Sequence, residues 1–157
     1  FEQVDVGEYQ REIFEVNIGL SRNYEKLERR QDAAQALGKA IEAAKVIEIE
    51  ELDDLLRDQG RHFFAAGQYE NSIACHQEAI AMTEMFLREE SYGIDYFNIG
   101  MGLYELGRYE EARDAYRKSR TAFKSQDEIE SVVDCDYRLT EVHIELKDPV
   151  NIIHHGQ

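Results

Sequence analysis

Tyr96-Phe97-Asn98-Ile99-Gly100-Met101-Gly102-Leu103-Tyr104, then Gly107-Arg108-Tyr109-Glu110-Glu111-Ala112, then Tyr116 and Ser119, is the stretch that decides the fold. Displaced by 40 residues toward the N-terminus, it meets a second copy of itself. Gly100 falls on Gly60, Leu103 on Phe63, Gly107 on Gly67 and Tyr109 on Tyr69. Ala112 falls on Ser72, Tyr116 on His76 and Ser119 on Ala79. Small positions stay small and bulky positions stay bulky, all in one register. A further displacement of 39 reaches a weaker copy, with Ser21, Tyr24, Ala33, Leu37 and Ala40 in the corresponding places. Its turn glycine is missing, and Glu28-Arg29-Arg30-Gln31-Asp32 stands there instead. Forward by 40, Gly100 maps to Thr140, with His143 and Leu146 following before Lys147-Asp148-Pro149 ends the unit after one helix.

Each unit reads as two antiparallel helices. In the first helix, Gly60 or Gly100 lets the partner helix approach closely, and Gly67 and Gly107 supply the permissive backbone that ends it. Tyr69 and Tyr109 open the second helix and pack back across the pair. Ser72 and Ala112 are small because they sit at the crossing, and Tyr116 reaches the next layer. One pair cannot bury its apolar face alone, so the units must stack. Helices are predicted near 8–28, 32–50, 52–66, 69–90, 92–106, 109–124 and 128–147, with Asp32 and Asp53 as N-caps. His154-His155-Gly156-Gln157 reads as a loose end.

These residues resemble the tetratricopeptide repeat family, whose pattern residues 93–126 match most closely. The resemblance implies an all-α fold, a solenoid of antiparallel helix pairs wound as a right-handed superhelix of about seven helices. It divides a single domain, 1–157, into repeats at about 14–52, 53–92 and 93–132, a half repeat at 133–147 and a flexible tail at 148–157. Family units run to about 34 residues, and the extra residues here, near 84–90 and 126–132, lengthen helices by under two turns. Such extended units look like those of Pins-type scaffolds, kinesin light chains and bacterial peptide-pheromone receptors.

Composition agrees with helix and excludes several functions. The only proline is Pro149, and no long alternating run of Val, Ile and Thr suggests sheet. A net charge of −15 repels phosphate backbones and the anionic face of a membrane, so neither nucleic acid nor membrane is expected as a partner. No apolar stretch approaches the roughly 20 residues that span a bilayer. The chain begins at Phe1 with no initiator Met and no signal-like segment, and reads as an excised piece of something longer. Cys75 and Cys135 stand apart, without metal-ligand spacing, and read as buried free thiols in a reducing, cytoplasmic setting.

In a stack of this kind the first helix of each unit lines the concave face, and helix periodicity decides which residues it presents. The first unit presents Arg22 and Lys26 with Ile18 and Glu25; the second, Arg57, Asp58, Arg61 and Phe64. The third presents Ile94, Phe97, Asn98, Met101, Tyr104 and Glu105; the fourth, Asp134, Tyr137, Arg138, Glu141 and Glu145. The groove should be basic toward its N-terminal half, then aromatic, with Phe97, Met101, Tyr104 and Tyr137 receiving apolar side chains. Arginine forks favour carboxylates, and Asn98 offers donor and acceptor to a peptide backbone. The expected ligand is a peptide segment with acidic residues beside a hydrophobic or aromatic anchor. Some tetratricopeptide co-chaperones hold a C-terminal carboxylate with Lys, Asn, Asn, Lys and Arg. Those places carry Arg57, Arg61, Asn98, Asp134 and Arg138 here, so Asp134 reverses a charge and Arg61 replaces an Asn. The competing reading pairs Arg57 with Asp53 or Asp54, and Arg61 with Asp58, along their own helix.

No phosphate-cradling loop, nucleophile elbow or metal-binding helix motif is legible, so no catalytic residue, metal site or cofactor is expected. His62, His76 and His143 occupy bulky repeat positions and read as packing residues. Glu110-Glu111 suits the positive end of a helix dipole. The reading is therefore an adaptor or scaffold that binds a protein or peptide. Its alternative is a peptide-sensing regulatory domain of a larger receptor or transcriptional regulator. The half repeat leaves an apolar edge, where Leu139, Val142 and Leu146 are expected to support self-association.

Overall fold

The computed structural model describes residues 5–85 and 92–147. They form seven α-helices and no strand: α1 Val6–Lys26, α2 Arg30–Val46, α3 Leu52–Ala65, α4 Tyr69–Met85, α5 Tyr92–Glu105, α6 Tyr109–Ser125 and α7 Ile129–Lys147. The chain divides into two compact units, Phe1–Met82 and Thr83–Gln157. The expected tail at 148–157, with His154 and His155, and the last residues of the helix expected over 69–90 lie outside the described residues.

The turns explain where helices stop. Gly67 and Gly107 adopt left-handed backbone, with φ of 73° and 71°. At each, the next amide reaches back across the turn, Gln68 N–H to the Phe63 carbonyl at 2.8 Å and Arg108 N–H to that of Leu103 at 2.9 Å. The first hairpin, which lacks the glycine, makes the same turn. Glu28 takes φ 57° and Arg29 N–H bonds the Tyr24 carbonyl at 2.9 Å. Glu48 and Asp127 repeat it after α2 and α6, with φ of 53° and 58°. Left-handed backbone costs a residue with Cβ about 1–2 kcal/mol, a strain the packing of the hairpins sustains. Glu48 also explains why α2 ends at Val46, short of the expected 50.

Asp32 and Asp53 are not N-caps. Arg29 and Glu51 hold those positions, without side-chain capping bonds. Asp32 instead lies in the first turn of α2 and accepts from Arg29 Nε at 2.7 Å. The same bridge of three residues recurs where Asn71 donates to Gln68 at 2.9 Å and where Arg108 donates to Glu111 at 2.8 and 2.6 Å. The Arg108 hydrogen bonds hold the Glu111 carboxyl below its usual range. Asp53 is buried, because its place in the first turn of α3 faces inward.

In the first unit, Ile41 and Ala44 of α2, Leu52 and Leu56 of α3 and Ala79 of α4 form one core cluster, with Phe14 of α1 against it. Gln59 ties three helices together, donating to the Ala34 carbonyl at 3.0 Å and accepting from the Cys75 thiol at 3.4 Å. A Cβ built on Gly60 would lie 2.8 Å from His76 Nε2, which is the close approach the sequence required. In the second unit the equivalent pair is tighter, with a Gly100 Cβ 2.7 Å from Tyr116 Cε1. Ser119 donates to the Gly93 carbonyl at 2.7 Å and lies 3.3 Å from the Cys135 sulfur, so α5, α6 and α7 meet around one hydroxyl. Tyr116 is fully buried, and burial raises its phenol well above the ordinary value.

Two rings bind each hairpin at its turn. Phe64 meets Tyr69 and Tyr104 meets Tyr109, each edge-to-face with centroids 5.3 Å apart. Such pairs contribute about 0.5–1.5 kcal/mol beyond their burial. His62 and His76 are buried as expected. His143 is not a packing residue, since α7 turns that position to solvent. Val142 is not available for self-association either. It is fully buried, with Leu139 and Leu146 half-buried beside it.

Candidate peptide-binding surface

The first helix of each pair carries the residues expected to meet a ligand. On α1, Arg22 and Lys26 lie one turn apart and exposed, and neither has a charged or hydrogen-bonding partner among the described residues. Ile18, one turn earlier, is half-buried.

The α3 arginines differ from each other. Arg57 Nη1 bonds Asp53 at 3.0 Å and Asp54 at 2.9 Å, and its side chain is only 13% exposed. Its partner Asp53 is itself buried, so Arg57 neutralises a carboxylate inside the protein and is a structural cation. Among the described residues Arg61 pairs only with Asp58 on its own helix and remains 66% exposed, a weak contact that a ligand carboxylate can replace. His62 beside it is buried, which lowers its pKa, with the opposing fields of Glu25 and Arg30 nearby. Phe64 is half-buried against Tyr69.

In the second unit, Asn98 and Met101 of α5 are half-buried. Phe97 packs edge-on against Tyr116 at 5.6 Å, and Tyr104 meets Tyr109 and donates to Glu145 at 3.5 Å. Those two rings are thus partly spent within their own hairpins, whereas Tyr137 on α7 is exposed. Arg138 bonds Glu141 at 2.9 Å and lies 5.9 Å from the Tyr137 ring centre. Asp134 lies one turn before it, and α7 is acidic, with Glu130, Asp134, Asp136, Glu141 and Glu145 against Arg138 and Lys147.

The residues that sequence reasoning missed are on α7. Ile129, Val133 and Ile144 are exposed, and the signal that finds them is the 40-residue displacement applied to Gly93 and Tyr104. Among the described residues no group of three potential metal ligands gathers, and no helix is long and apolar enough to cross a membrane.

A family model described as tetratricopeptide repeat matches residues 51–125. Solved structures share the fold. The TPR domain of Arabidopsis FLU superposes with a TM-score of 0.65 at 16% identity, over 74% of this chain and 98% of that one. The signal transduction ATPase with a tetratricopeptide repeat sensor from Pyrococcus horikoshii gives 0.71 at 22% identity, over 87% of this chain and 21% of that one. BtubC from P. vanneervenii gives 0.58 at 13% identity, over 86% and 65%. No functionally curated protein matches the chain. Residues 51–125 therefore match the tetratricopeptide repeat pattern, and the described residues have the all-α tetratricopeptide repeat fold.

Proposed function

We propose that the chain is an adaptor module that binds partner segments carrying acidic residues together with hydrophobic or aromatic ones. The observation that carries this reading is the pair Arg22 and Lys26, exposed and unpaired on α1 of a chain whose net charge is −15. In so acidic a protein, uncommitted neighbouring cations on a first helix favour a carboxylate ligand, because its binding relieves rather than adds to the local field. Arg61 adds a third cation that gives up only a weak partner. Taken by itself, the second unit offers half-buried Asn98, Met101 and Tyr104, which suit a backbone amide and an apolar side chain. Arg57 has a different role from the one its spacing suggested, holding Asp53, so we assign it to stability. Two free buried thiols support a reducing, cytoplasmic setting for this binding.

The test is binding of fluorescein-labelled peptides that place Asp or Glu beside Phe or Leu, against peptides with Asn or Gln instead. The acidic peptides should bind at least about tenfold more tightly, with the gap closing as salt rises. Arg22→Glu with Lys26→Glu should remove that gap while leaving helicity unchanged. Equal affinity for both peptide sets would end the proposal.

A further inference from the structure

Two arginines share one place in the repeat and differ in what holds them. Displaced by 39 residues, Arg61 of α3 falls on Arg22 of α1, and Asp58, three residues before Arg61, falls on Gly19. Arg61 Nη2 donates to Asp58 Oδ1 at 2.5 Å, a contact between neighbours on one helix face. Gly19 has no side chain to do the same for Arg22. The Arg57 pair on the same helix shows what a structural contact looks like, over an Asp53 that is itself buried. The Asp58 and Arg61 side chains are instead 49% and 66% exposed, so their pair lies outside the core and contributes little to stability.

These charges belong to one neighbourhood. Phe14 of α1 packs on the cluster that contains Leu52 and Leu56 of α3, so the two first helices share a core within the first unit. The charges of Glu25, next to Lys26 on α1, and of Asp58 and Arg61 on α3 all reach the buried His62 ring. One ligand segment can therefore span Arg22, Lys26 and Arg61.

We propose that Asp58 is a built-in competitor of the ligand, which occupies Arg61 in the free protein and gives way to a segment that brings a second carboxylate. The proposal rests on the acidic-ligand reading above. Arg22 and Lys26 take the first carboxylate. A second one on the same segment is then held at high local concentration and competes with Asp58 within one complex. It has the stronger contact to offer. Asp58 uses one end of the guanidinium, whereas a carboxylate arriving from outside the helix can take the fork with both oxygens. The displaced Asp58 turns to water at little cost, because it is already half exposed. The partner class is thus a segment with two acidic side chains, and Asp58 sets how much the second is worth. Asn98 holds the place of Asp58 forty residues on, so an uncharged amide suits this helix position.

The probes are fluorescein-labelled peptides with two Asp, with one Asp and one Asn, or with two Asn, around the same Leu anchor. They are titrated into the full chain and its variants by fluorescence anisotropy. Asp58→Asn should tighten the two-Asp peptide about threefold to fivefold, and the one-Asp peptide by less than about twofold. In an Arg61→Gln background that difference between the peptides should vanish. Gly19→Asp installs the missing competitor at a place where a new Cβ meets nothing within 4 Å. It should weaken both acidic peptides about threefold relative to Gly19→Asn. The proposal is overturned if Asp58→Asn tightens both acidic peptides alike, or does so equally without Arg61, since Asp58 then acts through its charge alone. It is also overturned if Asp58→Asn or Gly19→Asp changes nothing while the acidic peptides still outbind the two-Asn peptide. If the two-Asn peptide binds the unaltered chain as tightly as the two-Asp peptide, the acidic-ligand reading itself fails, and the competitor with it.

Discussion

Replacing Gly100 by Ala should destabilise this protein, although the same exchange in an open helix stabilises. An interior helical Gly costs about 0.5–1 kcal/mol relative to Ala, through backbone freedom lost on folding. At Gly19 on α1 a new Cβ meets nothing within 4 Å, so Gly19→Ala should collect that gain. At Gly100 the new carbon would lie 2.7 Å from Tyr116 Cε1, 2.8 Å from Cδ1 and 3.0 Å from Cζ. The ring is 1% exposed and packed edge-on by Phe97 at 5.6 Å, so it has no free end to swing away. Overpacking of this sort costs about 1–3 kcal/mol. Less the propensity gain, the net loss is about 0–2.5 kcal/mol, centred near 1 kcal/mol. For a chain of this size about 1 kcal/mol moves the melting point by roughly 2–4 °C. Thermal unfolding followed by circular dichroism should therefore show Gly100→Ala below the parent and Gly19→Ala above it. A Gly100→Ala chain as stable as the Gly19→Ala chain would refute the close crossing of α5 and α6.

Three further outcomes follow from the same geometry. Glu28→Gly relieves left-handed strain at φ 57° and should stabilise by up to about 1 kcal/mol in urea unfolding, the strain relief exceeding the added chain entropy; a loss would contradict the turn. Burial pushes the Cys75 thiol up to about 11, so Cys75 should react with a thiol reagent about a hundredfold more slowly in native protein than in urea, and Cys135, raised in the same direction by burial, should be slowed too. Burial lowers His62 below its ordinary 6.5, so the unfolded chain takes up a proton first. The His62 contribution to stability is present above 6.5 and is lost as pH falls through the lowered folded value, and His62→Gln should flatten that part of a stability–pH profile.

The hairpins were legible in the sequence because crossing positions tolerate only small residues, and the 40-residue register displays them. Gly60, Gly100, Ser72 and Ala112 sit where that register put them. The caps were not legible. Asp is a good N-cap in isolation, but at 32 the left-handed turn at Glu28 starts the helix earlier and moves the carboxylate into the first turn. A turn glycine signals the turn at two places, while Glu28, Glu48 and Asp127 make it without any such signal. The ligand surface was legible in residue type but not in commitment. Arg22 and Arg57 look alike as letters, and only burial of Asp53 separates a free cation from a structural one. The exposed apolar residues of α7 needed solvent exposure to be seen, since apolar letters on a repeat helix read as core.

The most direct test of the binding account is a backbone-amide NMR titration of the chain with an acidic–aromatic peptide and with its amide counterpart. Shifts centred on Arg22, Lys26 and Arg61 with the acidic peptide, and weaker ones with its counterpart, are the predicted result. Shifts of equal size for both peptides, or shifts that leave α1 and α3 unmoved, would contradict it.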